Sequence, residues 1–377
     1  MGNENIQKRS TPVRVVVKVG TSSITHADGT INNAIVISLC AQIAHLRDEG
    51  REVLLVTSGA VSAGVAALQL KDRPSDIATL QALAAIGQSR LMQRYNDQLA
   101  THGLVGAQVL LVPHDFGDRQ QYLHARHTML KLLELGVVPI INENDAIASD
   151  EIRFGDNDRI AALVAHSVNA DVLVLLTDQD GLYTSDPRIN ASATLISEVL
   201  PDDDLMSVSA GSAGTTRGSG GMASKLSAAR IASWSGVRTV IARAERDGVV
   251  VDAVNGENKV GTTFVGRNRN ISARKLWIAF AAECAGTVVI DDGAVGALTT
   301  RGTSLLAAGV VQSSGVFDVG DVIEITQANG IVLGRGASSI SSGELLGVQG
   351  KRTVDLVEGA SSLVVHRDEL VILSAMH

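Results

Sequence analysis

Two lysines, about two hundred residues apart, each lie at a glycine-rich turn beside a predicted regular element. Lys18 lies at the end of an apolar run, residues 13–19, which is typical of a buried parallel strand, and Gly20 follows that run. Lys225 follows the segment Ser-Gly-Gly-Met-Ala-Ser and precedes a helix predicted over 226–234. Glycine turns expose backbone N–H groups and a helix N-terminus adds partial positive charge, so both places suit a polyphosphate. The two lysines predict phosphoryl transfer.

The familiar nucleotide-binding motifs do not fit these residues. A Walker A loop needs Gly-Lys-Ser/Thr, but Lys225 lies between Ser224 and Leu226. A Rossmann fingerprint needs three closely spaced glycines after the first strand, where this chain has Gly20 and then no further glycine before Gly29. The catalytic loop of protein kinases is also missing, because the one His-Arg-Asp in the sequence, at 366–368, is not followed by the asparagine that this loop needs. Phosphate must therefore be bound by another arrangement.

Composition restricts the class of protein. The net charge of −8 argues against a broad surface for nucleic acid or anionic membrane. The longest apolar stretches have the length of strands, and residues 1–11 are polar without the apolar core of a signal peptide. We therefore expect a soluble, cytoplasmic protein. Cys40 and Cys284 are far apart without metal-ligand spacing, and both are predicted to be buried thiols.

Strand-sized apolar runs alternate with helical patterns over the first 245 or so residues, which predicts an open, mostly parallel sheet sandwiched by helices. The predicted strands are 13–19, 52–57, 106–112, 137–141, 172–177 and 238–242, and the predicted helices include 33–49, 77–101, 119–135 and 158–168. Polar or glycine-rich segments follow the carboxyl ends of four strands, at 20–22, 58–60, 142–145 and 178–181. Open α/β sheets bind ligands at that edge.

The pattern changes near residue 270. Helical periodicity largely disappears there, and short apolar runs bounded by Gly, Asp and Ser follow at 287–290, 319–325, 330–333 and 362–365. This pattern predicts a small antiparallel β-barrel or sandwich of roughly 100 residues. We therefore expect two domains, an α/β domain over 11–268 and a β domain over 274–377.

Seven short motifs in a fixed order resemble the amino acid kinase superfamily, and within it the glutamate 5-kinase family. These motifs are Lys-Val-Gly-Thr-Ser at 18–22, Val-Thr-Ser-Gly-Ala at 56–60, Ala-Ala-Ile-Gly-Gln at 84–88, Ile-Asn-Glu-Asn-Asp at 141–145, Phe-Gly-Asp-Asn-Asp at 154–158, Leu-Thr-Asp-Gln-Asp-Gly-Leu-Tyr-Thr at 176–184 and Gly-Gly-Met at 220–222. The part that opens with Arg-Lys-Leu-Trp-Ile at 274–278 resembles the PUA domain that many bacterial members carry.

The resemblance implies ATP-dependent phosphorylation of the γ-carboxylate of L-glutamate to L-glutamyl 5-phosphate, the first step of proline biosynthesis. It assigns catalysis to Lys18 and Lys225, with Asp158 positioning the two lysines. It assigns glutamate binding to Ser58, Asp145 and Asn157. It assigns ATP binding to Lys18, Gly20, Thr177, Asp178, Ser219, Gly220, Gly221, Met222, Ala223, Ser224 and Lys225. Mg²⁺ is expected mainly on the ATP phosphates, without a metal site built from protein side chains.

Two of these residue assignments have structural alternatives. Asp158 could serve only as the N-cap of the helix that follows it, or could do so in addition to holding the lysines. Asp145 could be an ordinary turn or cap residue, since Asn-Asp pairs commonly serve in turns.

The implied chemistry needs no general base, because a glutamate γ-carboxylate with a pKa of about 4.3 is already ionised at neutral pH. It needs positive groups that reduce the repulsion between two anions and stabilise the transferring phosphoryl group. Asp145 is the residue we assign to the substrate ammonium.

The resemblance also implies partners. These are proline as a feedback inhibitor, a homo-oligomer (dimer or tetramer), and handover of glutamyl phosphate to glutamate-5-semialdehyde dehydrogenase; no membrane is expected. One alternative is another acyl-phosphate-forming amino acid kinase, of the aspartokinase type. Another is an RNA-binding protein acting through the PUA-like domain. Residues 274–377 hold seven Lys and Arg against eleven Asp and Glu, a net charge of −4 that makes binding to a nucleic acid unlikely.

Overall fold

The computed structural model describes residues 13–116, 118–147, 157–201, 203–207, 220–267, 271–282, 284–351, 354 and 361–373. They fall into two compact units, of which the first takes its residues from 1–112, 124–199 and 216–266 and the second from 113–123, 200–215 and 267–377. The main change of unit therefore lies between Gly266 and Arg267. The predicted domain bounds, 11–268 and 274–377, stay a prediction.

The first unit is built on an eight-stranded sheet with the strand order β3-β4-β2-β1-β5-β7-β8-β6. Its strands are β1 Arg14–Val19, β2 Glu52–Val56, β3 Gly106–Leu111, β4 Val138–Glu143, β5 Val172–Thr177, β6 Glu198–Val199, β7 Arg238–Arg243 and β8 Thr262–Phe264. All neighbours pair in parallel except β7 and β8. The open, mostly parallel sheet is as predicted.

Of the described helices that accompany this sheet, the five that were predicted begin and end close to their predicted positions, with one exception, and those that begin at Thr21, Ala60 and Val249 were not predicted. They are α1 Thr21–Ile24, α2 Asn33–Asp48, α3 Ala60–Ala67, α4 Ile77–Ala100, α5 Arg119–Glu134, α6 Asn157–Ser167, α8 Gly220–Trp234 and α9 Val249–Asn255, while the short α7, Asp204–Ser207, belongs to the second unit. Side-chain caps start two of the long helices. Asn32 accepts from the backbone N–H of Ile35 at α2, and Asp76 accepts from that of Thr79 at α4.

The exception is α8, which was predicted to begin at Leu226. It begins at Gly220, so Ser224 and Lys225 lie inside the helix rather than in the turn before it. Two consecutive glycines have low helix propensity, and the sequence pattern therefore placed the start of the helix too late.

Alternation along β1 directs its side chains to two faces of the sheet. Val15, Val17 and Val19 belong to a core cluster with residues of α2, α4 and α9. Val16 and Lys18 point to the opposite face, where α6 packs on β1. This alternation places Lys18 on the side of the sheet that carries α6.

The second unit contains a curled six-stranded sheet with the order β10-β14-β13-β12-β9-β11. The strands are β9 Cys284–Ile290, β10 Leu305–Leu306, β11 Val310–Gly315, β12 Val322–Gln327, β13 Val332–Ser338 and β14 Leu363–Ile372. Pairing is antiparallel, as predicted, except between β9 and β12, which run parallel. Phe317, Ile323 and Ile325 belong to the buried hydrophobic core of this unit.

Four α-helices in the described part of this unit were not predicted, namely the short α7 together with α10 Ala273–Leu276, α11 Asp292–Arg301 and α12 Ser342–Val348. The sequence carries a signal for α12 that the periodicity argument passed over, because Ser341 and Glu344 form a reciprocal capping box. For α11, Asp291 accepts a hydrogen bond from the backbone N–H of Ala294 at 2.7 Å. The capping residues, rather than an apolar stripe, mark these two helices.

The two cysteines have different environments. Cys40 is buried in α2, and burial raises the pKa of its thiol to about 12. Cys284 at the start of β9 is exposed, so the prediction of a buried thiol is wrong for this residue. Within the described part of the chain, no helix is both long and apolar enough to cross a membrane.

Candidate active site

The predicted site residues of the first unit gather at the carboxyl edge of its parallel sheet. Lys18 is the second-last residue of β1, level with Val56 of β2 on one side and Leu175 of β5 on the other. Ser58 follows β2 and Thr177 ends β5. Because parallel strands all end at one edge, these residues approach one another although they are distant in sequence.

One buried carboxylate connects the two lysines. Oδ1 of Asp158 lies 2.6 Å from Nζ of Lys18, and Oδ2 lies 3.2 Å from Nζ of Lys225. Ser224 donates a short hydrogen bond to the same Oδ2. The exposed fractions are 4% for Lys18, 3% for Asp158 and 7% for Lys225. Two ammonium groups and one carboxylate leave a local charge of +1, which suits an anionic ligand.

The charge balance holds Asp158 in its ionised form. Burial by itself would raise the pKa of this carboxyl, but the ammonium groups of Lys18 and Lys225 outweigh it and keep the pKa below its ordinary value. Asp158 is the second residue of α6, so it lies inside the first turn rather than at the N-cap. Its carboxylate contacts the lysines and Ser224, and its position in the first turn also suits the helix dipole.

The three residues assigned to glutamate lie around one cleft. Ser58, Asp145 and Asn157 line a cavity of about 250 Å³, together with Thr21, Gly59, Ala60, Val61, Ser62 and Arg73. Gly59 has a φ of +100° and precedes α3, and a Cβ there would come within 2.9 Å of Cγ2 of Ile24. The backbone that lines the cleft therefore requires glycine at this position.

The carboxyl group of Asp145 is only partly compensated by its surroundings in the cleft. Its Oδ1 is buried and has no hydrogen-bond partner among the described residues. Burial raises the pKa of this carboxyl to about 6, and the charge of Arg73 opposes the rise only in part. A cationic group of a ligand would supply the missing partner.

Asn157 uses its amide within the protein. Its Nδ2 donates to Oγ of Ser58 and to Oδ1 of Asn142, each at 3.0 Å. Its Oδ1 accepts from the backbone N–H of Glu143 at 3.1 Å. Asn157 is 2% exposed and lines the cleft itself. It also holds the hydroxyl of Ser58, another lining residue.

The residues assigned to ATP are spread over three elements at the same edge. Gly20 packs against Lys18, since a Cβ at this glycine would lie 3.4 Å from the lysine Nζ. The hydroxyl of Thr177 donates to Oδ1 of Asp178 at 3.0 Å. Gly220, Gly221, Met222, Ala223, Ser224 and Lys225 form the first part of α8, and Ser219 lies outside the described residues.

Sequence reasoning did not identify Arg73 or Thr21 as lining residues of the cleft. Thr21 belongs to the same motif as Lys18, residues 18–22, and this position in the sequence could have indicated that it lies at the site. Arg73 lies in a polar segment, Lys71-Asp72-Arg73-Pro74, whose sequence indicates only a loop.

Comparison with known proteins shows the family of this chain. Residues 13–243 match the model of the amino acid kinase family, and residues 286–359 match that of the PUA domain. The glutamate 5-kinase of Thermoanaerobacter sp. (strain X514) is 47% identical over 96% of this chain and 98% of its own length. That of Thermobifida fusca (strain YX) is 46% identical over 96% of this chain and 93% of its own, and that of Vibrio campbellii is 42% identical over 97% of each. The chain belongs to the amino acid kinase family and, within it, to the glutamate 5-kinases.

Proposed function

We propose that the chain transfers the γ-phosphoryl group of ATP to the γ-carboxylate of L-glutamate, giving L-glutamyl 5-phosphate and ADP. The observation that carries the proposal is the buried Lys18–Asp158–Lys225 cluster, in the same unit as a cleft that holds the unpaired Asp145. The names of relatives that align over nearly the whole chain support the same activity.

The reaction needs charge stabilisation more than proton transfer. A γ-carboxylate oxygen attacks the γ-phosphorus, and the bond from that phosphorus to the β,γ-bridging oxygen breaks. The carboxylate is ionised at neutral pH, because its reference pKa is about 4.3. The ammonium groups of Lys18 and Lys225 offset the repulsion between nucleophile and phosphate, and stabilise the charge on the transferring group.

Asp158 gives the two lysines their positions. Two ammonium groups in a buried site repel each other, and a shared carboxylate reduces that repulsion while fixing both nitrogens. The cluster keeps one net positive charge for the phosphate. Ser224, hydrogen-bonded to the same carboxylate, fixes its orientation further.

The cleft residues fit the two charged ends of an amino acid. Asp145 accepts from the α-ammonium group, which gives its orphaned oxygen a partner. Ser58 donates to a carboxylate oxygen, and Asn157 holds Ser58 in place. Gly20, Thr177, Asp178 and the start of α8 are proposed to bind ATP.

Mg²⁺ is proposed to be held mainly by the phosphate oxygens of ATP. Both oxygens of Asp158 are already engaged by ammonium groups, so this carboxylate is poorly placed as a metal ligand. Within the described ranges, no three His, Cys, Asp or Glu side chains are grouped as metal ligands. When bound, the ion would neutralise charge on the β- and γ-phosphates.

The family resemblance supports further proposals about the biological setting. They are a place in proline biosynthesis, feedback inhibition by proline, assembly as a homodimer or homotetramer, and handover of the acyl phosphate to glutamate-5-semialdehyde dehydrogenase. We propose the cytoplasm as the compartment, because ATP and glutamate are both available there.

The deciding experiment is formation of the amino acid hydroxamate from ATP, Mg²⁺ and hydroxylamine. We expect γ-glutamyl hydroxamate with L-glutamate, little product with L-aspartate, and less product when proline is added. Product from aspartate in preference to glutamate would replace the proposal with an aspartokinase-type activity. No product from either amino acid would refute phosphorylation of a side-chain carboxylate.

A further inference from the structure

A backbone N–H group fixes the orientation of two buried side-chain amides beside the cleft. The N–H of Glu143 lies 2.9 Å from Oδ1 of Asn142 and 3.1 Å from Oδ1 of Asn157. A backbone N–H can only donate, so the oxygen of each amide must face it. If either amide were turned over, its NH₂ group would oppose this N–H inside the protein core, where an unmade hydrogen bond is unfavourable.

The direction of the next hydrogen bonds follows from that constraint. With its oxygen on the Glu143 N–H, Asn157 must direct its NH₂ group at Oγ of Ser58 and at Oδ1 of Asn142. Ser58 therefore accepts from Asn157. Its own hydroxyl hydrogen makes no hydrogen bond within the part of the chain that the structure describes, and Ser58 lines the cleft. Ser58 is therefore free to donate this hydrogen into the cleft that it lines, toward an oxygen of the ligand.

The same chain of amides continues away from the cleft to Gln88. Nδ2 of Asn142 donates to Oε1 of Gln88 at 2.8 Å, and Nε2 of Gln88 donates to Oε1 of Gln108 at 2.9 Å. Gln88 lies on α4 and is 8% exposed, while Gln108 on β3 is exposed. Neither residue is among those that line the cleft.

We propose that Gln88 is a positioning residue for glutamate, acting through Asn142 and Asn157 on the hydroxyl of Ser58. Its Oε1 is the acceptor that lets Asn142 keep its NH₂ group away from the Glu143 N–H. Without that acceptor, the buried NH₂ group of Asn142 has no partner, and the side chain must move to find one. Asn157 then loses an acceptor, and the hydrogen bond that directs Ser58 is loosened.

This proposal rests on the proposed function for the identity of the ligand. It implies that the cleft has a hydrogen-bond donor and an acceptor at different places. Ser58 offers a donor and Asp145 offers an acceptor with a buried, unpaired oxygen. A zwitterion can satisfy both only with its ammonium group toward Asp145 and a carboxylate oxygen toward Ser58. Gln88 thus contributes to the orientation of the substrate without touching it.

The test compares three variants of the full-length protein in the hydroxamate assay. Gln88→Met keeps the length of the side chain and removes the acceptor, so we expect glutamate KM to rise roughly tenfold while ATP KM stays within about twofold. Gln88→Glu retains an oxygen toward Asn142, and the exposed Gln108 can turn its amide to match, so glutamate KM should stay within about threefold of wild type.

Gln42→Met is the matched control. Gln42 is a partly buried glutamine on α2 whose Oε1 accepts from the backbone N–H of Val250 at 2.7 Å, away from the cleft. We expect it to lower the unfolding midpoint in urea and to leave glutamate KM unchanged. If Gln42→Met raises glutamate KM as much as Gln88→Met does, the effect is one of general destabilisation and the proposal is wrong.

A double-mutant cycle with Ser58→Ala locates the effect. Because Gln88 acts through the Ser58 hydroxyl, Gln88→Met should change glutamate KM by less than about twofold when Ser58 is already alanine. A full tenfold rise in glutamate KM in the Ser58→Ala variant would show that Gln88 does not act through the Ser58 hydroxyl. Should Gln88→Met not fold, Gln88→Leu also removes the acceptor, and the same comparisons decide.

Failure of this proposal differs from failure of the proposed function. A wild-type protein that makes no γ-glutamyl hydroxamate refutes the function itself. An active wild type together with an active Gln88→Met variant of unchanged glutamate KM refutes only the positioning role of Gln88.

Discussion

Replacing Asp145 by asparagine tests whether the cleft keeps an ionised carboxylate that destabilises the fold. The change retains the size of the side chain and removes its charge. Burial raises the pKa of Asp145 from 3.8 to about 6, despite an opposing effect of Arg73. The folded protein therefore holds this proton more tightly than the unfolded chain does. The associated stability is fully present below pH 3.8 and is lost as the pH rises through about 6.

The size of the effect follows from the titration. At pH 5, one unit below the folded-state pKa, the proton contributes about 1.4 kcal/mol that is absent at pH 8. Because the Asp145 carboxyl is partly exposed, solvent reduces this contribution to about 1 kcal/mol. Asparagine does not titrate. The stability of Asp145→Asn relative to wild type should therefore be about 1 kcal/mol greater at pH 8 than at pH 5.

Urea unfolding of both proteins at the two pH values measures this difference. The comparison uses the transition that includes the first unit, with similar m-values as the condition for interpretation. Because it is a difference between two pH values, any constant effect of the substitution on packing cancels. An equal stability difference at pH 5 and pH 8 would show that Asp145 has no raised pKa.

The kinetic part of the same prediction concerns the substrate ammonium. At pH 8, Asp145→Asn should raise glutamate KM at least tenfold and change ATP KM much less, because the ammonium group loses its ionic partner. In wild type, kcat/KM for glutamate should fall roughly tenfold per pH unit below about pH 6, and the variant should lack this acid limb. A variant with normal glutamate KM and weakened ATP binding would mean that the cleft is the nucleotide site.

Three further predictions concern the lysine cluster and the glycine at the cleft. Lys18→Ala and Lys225→Ala should each lower kcat roughly 10²- to 10³-fold with little change in glutamate KM, and a variant with more than about a third of wild-type turnover would contradict that lysine's role. Asp158→Asn should lower the free energy of unfolding in urea by about 3 to 5 kcal/mol, because two buried ammonium groups lose their counter-charge; a loss under about 1 kcal/mol would argue against a shared buried ion pair. Gly59→Ala combines a φ of +100° with a steric contact and should lower stability by about 2 kcal/mol or more, whereas Gly103→Ala, with a φ of +70° and open space around it, should lose about 1 kcal/mol. Equal losses in a thermal unfolding comparison would remove the steric part of that argument.

The parallel sheet could be predicted because its central strands are buried on both faces. A strand such as β5, Val172–Thr177, is an uninterrupted apolar run, and its bounds match the prediction at both ends. The start of α8 could not be predicted in the same way. Gly220 and Gly221 disfavour a helix locally, and packing of α8 against α6 and β7 compensates for that preference only in the folded protein.

The sequence predicted only those residues of the candidate site that lie in recognisable motifs. The motifs identified Lys18, Asp158 and Lys225, and the family resemblance implied that Asp158 positions both lysines, but no sequence pattern gives the distances or the burial of these groups. The chain of amides was not foreseen at all. Gln88 reaches Asn142, 54 residues further along, through packing of α4 near β4, and such long-range pairs leave no periodic signal in a single sequence.

The central place of β1 in the sheet has a consequence for synthesis of the protein. One neighbour, β2, begins at Glu52, but the other, β5, begins at Val172, about 150 residues after β1 ends. At about 5–20 residues per second, one side of β1 stays without its partner for roughly 8 to 30 s while the ribosome continues. An apolar strand with an open edge can pair with other chains in that interval. Within the β1 sequence Arg-Val-Val-Val-Lys-Val, Lys18 interrupts the valines. The lysine assigned to phosphate in the finished enzyme thus also places a charge in this apolar strand, and a charge in such a segment opposes aggregation.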